Sequence, residues 1–284
     1  MPEARLPTIR ECYDASPYLS IRHSTYFAVY DELLAGYRER PITFVEIGVL
    51  NGGSLFMWRR FLGPQARIIG VDLNPDARRW EGEGFDIAIG DQGDPAFWAG
   101  FFTRFSDVDV VLDDGGHTNR QQIVTATACI PHIRDGGVLI VEDVHAAYLR
   151  EFGNPSRYSF INYAKRHVDW VNARFPALRR QRSAASAAVY AVSFYESIVC
   201  LRIDRARCVE SEPTSNGGTS LEAPDLRLRS VFAGPVMQRV KWLLGGPLLA
   251  PLARVVAPRV ARVRLRWESW RLRRWFRRGA IGQP

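Results

Sequence analysis

The chain has 284 residues, 46% hydrophobic and 24% charged, which is enough apolar surface to exclude disorder over the whole length. No uncharged run approaches the roughly 20 apolar residues of a spanning helix, and the opening MPEARLPTIREC has no apolar stretch behind its charges, so a cytoplasmic protein without a signal peptide is expected. The net charge of +8 hides an asymmetry: from Arg227 onward 14 Lys and Arg face one acid, Glu268, giving that segment +13 and the other 226 residues −5. The basic pI therefore describes the tail, and nucleic-acid binding by the body is not implied.

Residues 1–40 read as a helical lead-in, with Tyr26, Val29, Leu33, Leu34 and Tyr37 at spacings of three and four, Ser24 as N-cap and Pro41 as the stop. Then β-branched runs alternate with helical ones. ITFVEIGV (42–49) predicts a buried strand that stops at Asn51-Gly52-Gly53, and SLFMWRRFLG (54–63) a helix closed by Gly63-Pro64. Strands are predicted at ARIIGVDL (66–73), FDIAIGD (85–91) and DVDVVLDD (107–114), with helical aromatic spacing in PAFWAGFFTRF between the last two. NRQQIVTATACIPHI (119–133) predicts a helix that contains His132, and GGVLIVEDV (136–144) a fifth strand. VYAVSFYESIVCLRI (189–203) predicts two strands that meet at a turn near Tyr195-Glu196. The alternation means a mostly parallel, doubly wound α/β sheet with an antiparallel edge. The segment 209–226, rich in Ser, Pro, Gly and Glu, reads as a linker, which leaves 41–208 as the main α/β domain and 227–284 as a basic tail. The four cysteines have no paired spacing and suggest neither disulfides nor a thiolate zinc site.

Two groups of residues carry chemistry. Glu46-x-Gly48, followed by Gly52-Gly53-Ser54, forms a glycine-rich bend between the first strand and the first helix, where a ligand can lie against bare backbone and meet helix N-terminal amides. Asp72 ends the second strand, where a carboxylate reads a ribose diol, and Asp91 ends the third, either at an adenine or as a cap on the next helix. An acid ahead of the glycines disfavours a pyrophosphate and suits a sulfonium nucleoside, S-adenosylmethionine, better than NAD. The second group is Asp113-Asp114-Gly115-Gly116-His117 with Glu142-Asp143, again at the carboxyl ends of strands. Carboxylates packed on that rim repel one another unless a cation holds them, and oxygen ligands select Mg²⁺. His117 falls close enough to act as general base.

FVEIGVLNGGS, GVDLNP, LDDGGH and VEDVH, in this order, resemble the metal-dependent sugar O-methyltransferases of the macrolide (mycinamicin) type. Their wider group takes in rhamnosyl O-methyltransferases and cephalosporin hydroxylase-like proteins. The resemblance covers about residues 20 to 205 and implies a Rossmann-like class I methyltransferase that uses S-adenosylmethionine and Mg²⁺ on a hydroxylated, sugar-containing acceptor. It implies Asp114, Glu142 and Asp143 as Mg²⁺ ligands and His117 as base. Glu46, Gly48, Gly52, Ser54, Asp72 and Asp91 are implied at the cofactor, and Asp113 is assigned there with them. Where the group has serine between glycine and histidine this chain has Gly116, which is expected to loosen the loop. A counterpart of the auxiliary amino-terminal domain of the mycinamicin enzyme is not expected in these 284 residues, so its oligomer and substrate contacts are not assumed and a homo-oligomer is left open.

His145 is the rival base, and His23 is expected near cofactor or substrate, whereas His132 and His167 read as ordinary helix histidines. Tyr148, Tyr158 and Trp170, in a stretch of mixed aromatic and basic residues, either stack on sugar rings or pack a helix. Tryptophans interleaved with arginines in the tail (Trp267, Trp270, Trp275) suit an anionic membrane surface, peripheral on the inner face. The alternatives are methylation of a non-sugar vicinal diol such as a catechol, and an RNA-binding methyltransferase that uses the tail. The acidic body disfavours nucleic acid.

Overall fold

A computed structural model describes residues 5–152, 156–219, 269, 270 and 273. The chain divides into two units, Met1–Pro213 and Thr214–Pro284. Most of the second unit, and with it the membrane-surface reading of the tail, lies outside the described residues. The first unit is built on seven strands in the order β3-β2-β1-β4-β5-β7-β6.

The parallel strands are β1 (Thr43–Ile47), β2 (Arg67–Asp72), β3 (Asp86–Ile89), β4 (Val108–Asp113) and β5 (Ile133–Val141). The last two, β6 (Val189–Tyr195) and β7 (Ile198–Ile203), form a hairpin whose β7 pairs antiparallel with β5. Strands β1 and β4 are neighbours although β2 and β3 intervene in sequence. That reversal of strand order opens a crevice at their carboxyl ends, where such sheets bind ligands.

The β-branched runs are buried on both faces because helices cover both. On one face pack α1 (Ile9–Asp14), α2 (Tyr26–Leu34) and α3 (Gly53–Leu62), with Tyr26, Tyr30, Trp58 and Phe61 at their centre. On the other pack α4 (Pro95–Arg104), α5 (Asn119–Cys129) and α6 (Phe160–Asn172), around Trp98, Phe101 and Phe160. Each such side chain taken fully out of water contributes roughly 1.5–3 kcal/mol, so the sheet is sandwiched firmly and its rim can carry polar groups.

The lead-in is two helices, not one. Thr8 caps α1 through a capping box with Glu11, and α2 starts after Thr25, not Ser24 as the sequence suggested. Thr25 itself has helical φ/ψ, so no side-chain cap forms there. Not predicted were the 3₁₀ segments, the longest of them Pro75–Glu83, which buries Ala77 and Trp80, and the bounds of helix α6, whose helical state was read only at His167 and as one alternative for Trp170. His167 does lie in a helix, but His132 follows α5 in a turn, its ring stacked 4.0 Å from that of Phe102. The chain remains bonded to the body past Cys208, for Glu210 pairs with Arg179 and Arg182 at 2.5 and 2.7 Å. Among the described residues no helix is long and apolar enough to cross a membrane. All four cysteines are free.

Candidate active site

The carboxyl ends of β1, β2, β3 and β4 surround a cavity of about 600 Å³, within the usual range for a small-molecule or cofactor site. Its floor is the glycine bend. Gly48 has φ +91°, and a Cβ there would collide with the Asp114 carbonyl, so glycine brings the β1 and β4 loops together. Gly48, Ser54, Asp72, Asp91, Asp114, His117 and Asp143 line this cavity.

Glu46, Gly52 and Asp113 do not line it, which differs from their expected place at the cofactor. Glu46 is fully buried one layer behind, where it accepts hydrogen bonds from Ser54 Oγ (2.8 Å), Trp58 Nε1 (3.0 Å) and Arg22 (2.7 Å). Burial pushes its carboxyl up to about 7 against the pull of Arg22. A Cβ on Gly52 would run into the Trp80 ring, so this glycine serves packing. Asp113 is buried beneath the loop, pushed up to about 6 by desolvation, and accepts from Gln92 Nε2 at 2.9 Å.

Asp72 faces the cavity, with one carboxylate oxygen receiving the Val49 and Leu50 amides at 2.9 and 3.1 Å and the other the Asn74 amide at 2.8 Å. Asp91 also faces it and receives the Gly93 amide at 2.7 Å, while Asp94, not Asp91, caps α4.

The Asp113–His117 loop is braced, contrary to the looseness expected of Gly116. Gln92 Oε1 accepts the Gly116 amide at 2.8 Å, and the Gln121 amide group fills the space that a Gly116 side chain would need. Thr118 and Gln121 form a capping box at the start of α5. This holds His117 at φ +57°, in the left-handed region, with its Nε2 3.6 Å from Asp143 Oδ2. Asp143 is itself left-handed (φ +51°), fixed where the Val144 amide donates to the Ser197 carbonyl at 3.1 Å.

Of the expected metal ligands, Asp114 and Asp143 come together with His117, their ligand atoms all within 4.8 Å. Glu142 does not join that trio. It lines a smaller adjoining cavity of about 110 Å³ together with Asp114, Asp143 and His23. There Glu142 is fully buried, one oxygen accepting from Tyr30 OH at 2.5 Å and the other without a partner among the described residues. Desolvation holds its carboxyl well above the usual range, and burial likewise raises Asp114, in each case against the pull of Arg22. An unpartnered buried carboxylate oxygen beside two carboxylates is the environment of a hard cation. The donor set therefore fits Mg²⁺.

His145 and His23 flank Asp143 on the outer side, at 3.9 and 3.8 Å. His145 Nδ1 is engaged by Ser197 Oγ at 2.5 Å, and the ring faces a separate groove, with Tyr148 and Lys165, and not the main cavity. Tyr158 is exposed, and Trp170 packs on Tyr163 and His167 within and beside α6. Four site residues were absent from the sequence reading: Arg22, Tyr26 (whose hydroxyl donates to Asp143), Tyr30 and Gln92.

Residues 45–144 match the family model described as a methyltransferase domain. Within those bounds lie the glycine bend, both acidic loops and His117. The chain is 31% identical over 178 residues to the 8-demethyl-8-alpha-L-rhamnosyl tetracenomycin-C 2'-O-methyltransferase of Streptomyces olivaceus, covering 56% of this chain and 46% of that protein. It is 32% identical over 160 residues to the mycinamicin VI 2''-O-methyltransferase of Micromonospora griseorubida, covering 50% and 40%. The chain thus spans less than half the length of these relatives. Among solved structures it superposes on the MycE methyltransferase of the mycinamycin biosynthetic pathway in complex with Mg and SAH (S-adenosylhomocysteine). The TM-score is 0.63 at 26% identity, over 71% of this chain and 55% of that one. A second MycE complex, with Mg, SAH and mycinamycin VI, gives 0.65 at 25% identity over 81% and 60%. The seven-stranded sheet with one antiparallel hairpin is the Rossmann-like class I methyltransferase fold.

Proposed function

We propose that this chain transfers a methyl group from S-adenosylmethionine to a hydroxyl of a sugar-containing acceptor, in a Mg²⁺-dependent reaction. The observation that carries the reading is one cavity in which the glycine bend of a nucleoside site meets Asp114, His117 and Asp143. The same pairing of SAH with Mg in the MycE complexes supports it, as do the sugar O-methyltransferase names of the relatives.

Asp114 and Asp143, with Glu142 behind them, would hold the ion, and Gly48, Ser54, Asp72 and Asp91 the cofactor. Bound together, Mg²⁺ supplies Lewis-acid lowering of the acceptor hydroxyl's pKa and S-adenosylmethionine the electrophilic methyl group. His117 Nε2 takes the acceptor's proton, and the Asp143 carboxylate beside it stabilises the imidazolium that results. The Gln92–Gly116 and Thr118–Gln121 contacts hold the ring where it meets the cavity, so that the acceptor oxygen is oriented rather than found by diffusion. His145 lies outside that cavity, which favours His117 as the base.

The acceptor's aglycone is left open by the site, and glycosylated natural products, polysaccharides and glycolipids all present the required hydroxyl. The arginine- and tryptophan-rich tail would suit a lipid-linked acceptor at an anionic surface. The test is methyl transfer from labelled S-adenosylmethionine across a panel of rhamnosides and other glycosides, catechols and RNA, with Mg²⁺ and with excess chelator. Transfer to a glycoside that chelation abolishes is the expected result. Transfer only to catechol or RNA, or transfer undiminished by chelator, overturns the reading.

A further inference from the structure

Arg22 lies between α1 and α2, outside every sequence motif, yet its side chain is only 5% exposed. Its guanidinium bridges the two halves of the site. One nitrogen pairs with Glu46 Oε1 at 2.7 Å and the other with Asp114 Oδ2. The residue lines both the main cavity and the small cavity beside Glu142.

The two partners are not equivalent. Glu46 is locked, for Ser54 and Trp58 bond the same carboxylate in a fully buried setting. Asp114 stands at the cavity wall, 16% exposed, and belongs to the trio that fits a divalent cation. A cation held by Asp114 would compete with Arg22 for that carboxylate and would repel the guanidinium. A buried guanidinium left with half its fork unpaired needs another anion. Of the other carboxylates near it, Asp72 and Asp91 are engaged by backbone amides, and Asp143 and Glu142 are the groups that would hold the cation together with Asp114. The other arginine on its wall, Arg79, is exposed and turned toward Asp76 at 3.7 Å.

We propose that Arg22 binds the amino-acid carboxylate of the cofactor, exchanging Asp114 for it when Asp114 takes up the divalent cation. The proposal rests on the methyltransferase reading above. A planar guanidinium matches a carboxylate with two parallel hydrogen bonds, which an ammonium cannot do. Cation and cofactor then strengthen each other's binding, and by linkage the two effects are equal.

The experiment is calorimetric titration of the full chain with SAH and with 5'-methylthioadenosine, which keeps the adenosine and thioether but lacks the amino-acid part. Each is run with saturating Mg²⁺ and with chelator. Mg²⁺ is expected to tighten SAH at least fivefold, within the usual range of such couplings, and to leave 5'-methylthioadenosine unchanged. Arg22→Met is expected to bring SAH down to the affinity of 5'-methylthioadenosine and to remove the Mg²⁺ effect. Arg22→Lys should keep part of both. SAH binding indifferent to Mg²⁺, an equal Mg²⁺ effect on 5'-methylthioadenosine, or coupling that survives in a folded Arg22→Met overturns the proposal. If Arg22→Met does not fold, Arg22→Lys carries the same test, and a Mg²⁺ effect on SAH undiminished in a folded Arg22→Lys overturns the proposal. A wild-type chain that binds neither ligand overturns the methyltransferase reading itself, and the proposal with it.

Discussion

Tyr30→Phe isolates the role of Glu142. The Tyr30 ring is fully buried, so the substitution keeps its packing and deletes only the hydroxyl that donates to Glu142 at 2.5 Å. Glu142 has no other side-chain partner among the described residues, and its second oxygen is already unpartnered. Removing a hydrogen bond to a buried charged group costs about 2 kcal/mol, which for a folded unit of this size is a fall in Tm of about 4–8 °C. The loss should be largest at alkaline pH, because burial raises the Glu142 carboxyl and protonation on the acid side relieves the unpaired charge. Urea unfolding of wild type and variant, each with chelator and with saturating Mg²⁺, reads the effect. If Glu142 supports the ion, Mg²⁺ supplies the missing partner and the difference between the two proteins narrows. A difference as large in Mg²⁺ as in chelator would refute a place for Glu142 in the metal site and leave Tyr30–Glu142 as a structural pair.

Three further outcomes are expected. His117→Ala should retain SAH and lose turnover on the order of 10²–10⁴-fold, the deficit shrinking as pH rises; the same pattern in His145→Ala, with His117→Ala unaffected, would transfer the role. Gly48→Ala should weaken SAH binding at least about tenfold by calorimetry, because its left-handed backbone strains alanine and the new methyl strikes the Asp114 carbonyl; wild-type affinity would contradict the cavity floor described above. His167 is buried between Tyr163 and Trp170 with neither nitrogen bonded among the described residues, and burial pushes it down to about 4. Its folded-state pKa is thus depressed below the unfolded value near 6.5, so the stability it contributes is complete above pH 6.5 and drains away as pH falls toward 4. His167→Leu should therefore lose about 2 kcal/mol less than wild type between pH 7 and 4.5, read by urea unfolding at the two values.

The strands and the terminal hairpin were legible because a buried parallel sheet demands unbroken β-branched runs, and no other element imitates ITFVEIGV or GGVLIVEDV. The 3₁₀ segment was not legible, since PDARRWEGE buries only Ala77 and Trp80 and shows no repeating face. Helix α6 was legible only in part: His167 read as a helix histidine, but the buried stripe of Phe160, Ile161, Ala164 and His167 is interleaved with arginine and tryptophan that suit an acceptor cap equally well. In the site, Asp114, His117 and Asp143 were visible because all three lie within four residues of the carboxyl end of β4 or β5. Arg22 left no local trace, for its two partners lie 24 and 92 residues away. Tyr26 and Tyr30 fell on the apolar stripe of α2, where their rings explain the spacing and their hydroxyls add no signal to it.

The two left-handed residues, His117 and Asp143, bear on how the site keeps its shape. Non-glycine backbone in that region costs on the order of 1–3 kcal/mol and persists only where neighbours impose it. Here groups of the protein impose it. Gln92 and Gln121 hold the loop before His117, and the Ser197 carbonyl and the Gln122 amide, which donates to the Glu142 carbonyl at 2.9 Å, hold the turn at Asp143. Arg22 meanwhile balances part of the negative charge that would otherwise drive Asp114 and Glu142 apart. The backbone that carries His117 and Asp143 is thus fixed by contacts within the protein. A cation held by Asp114 as proposed would displace one arginine contact, that of Arg22.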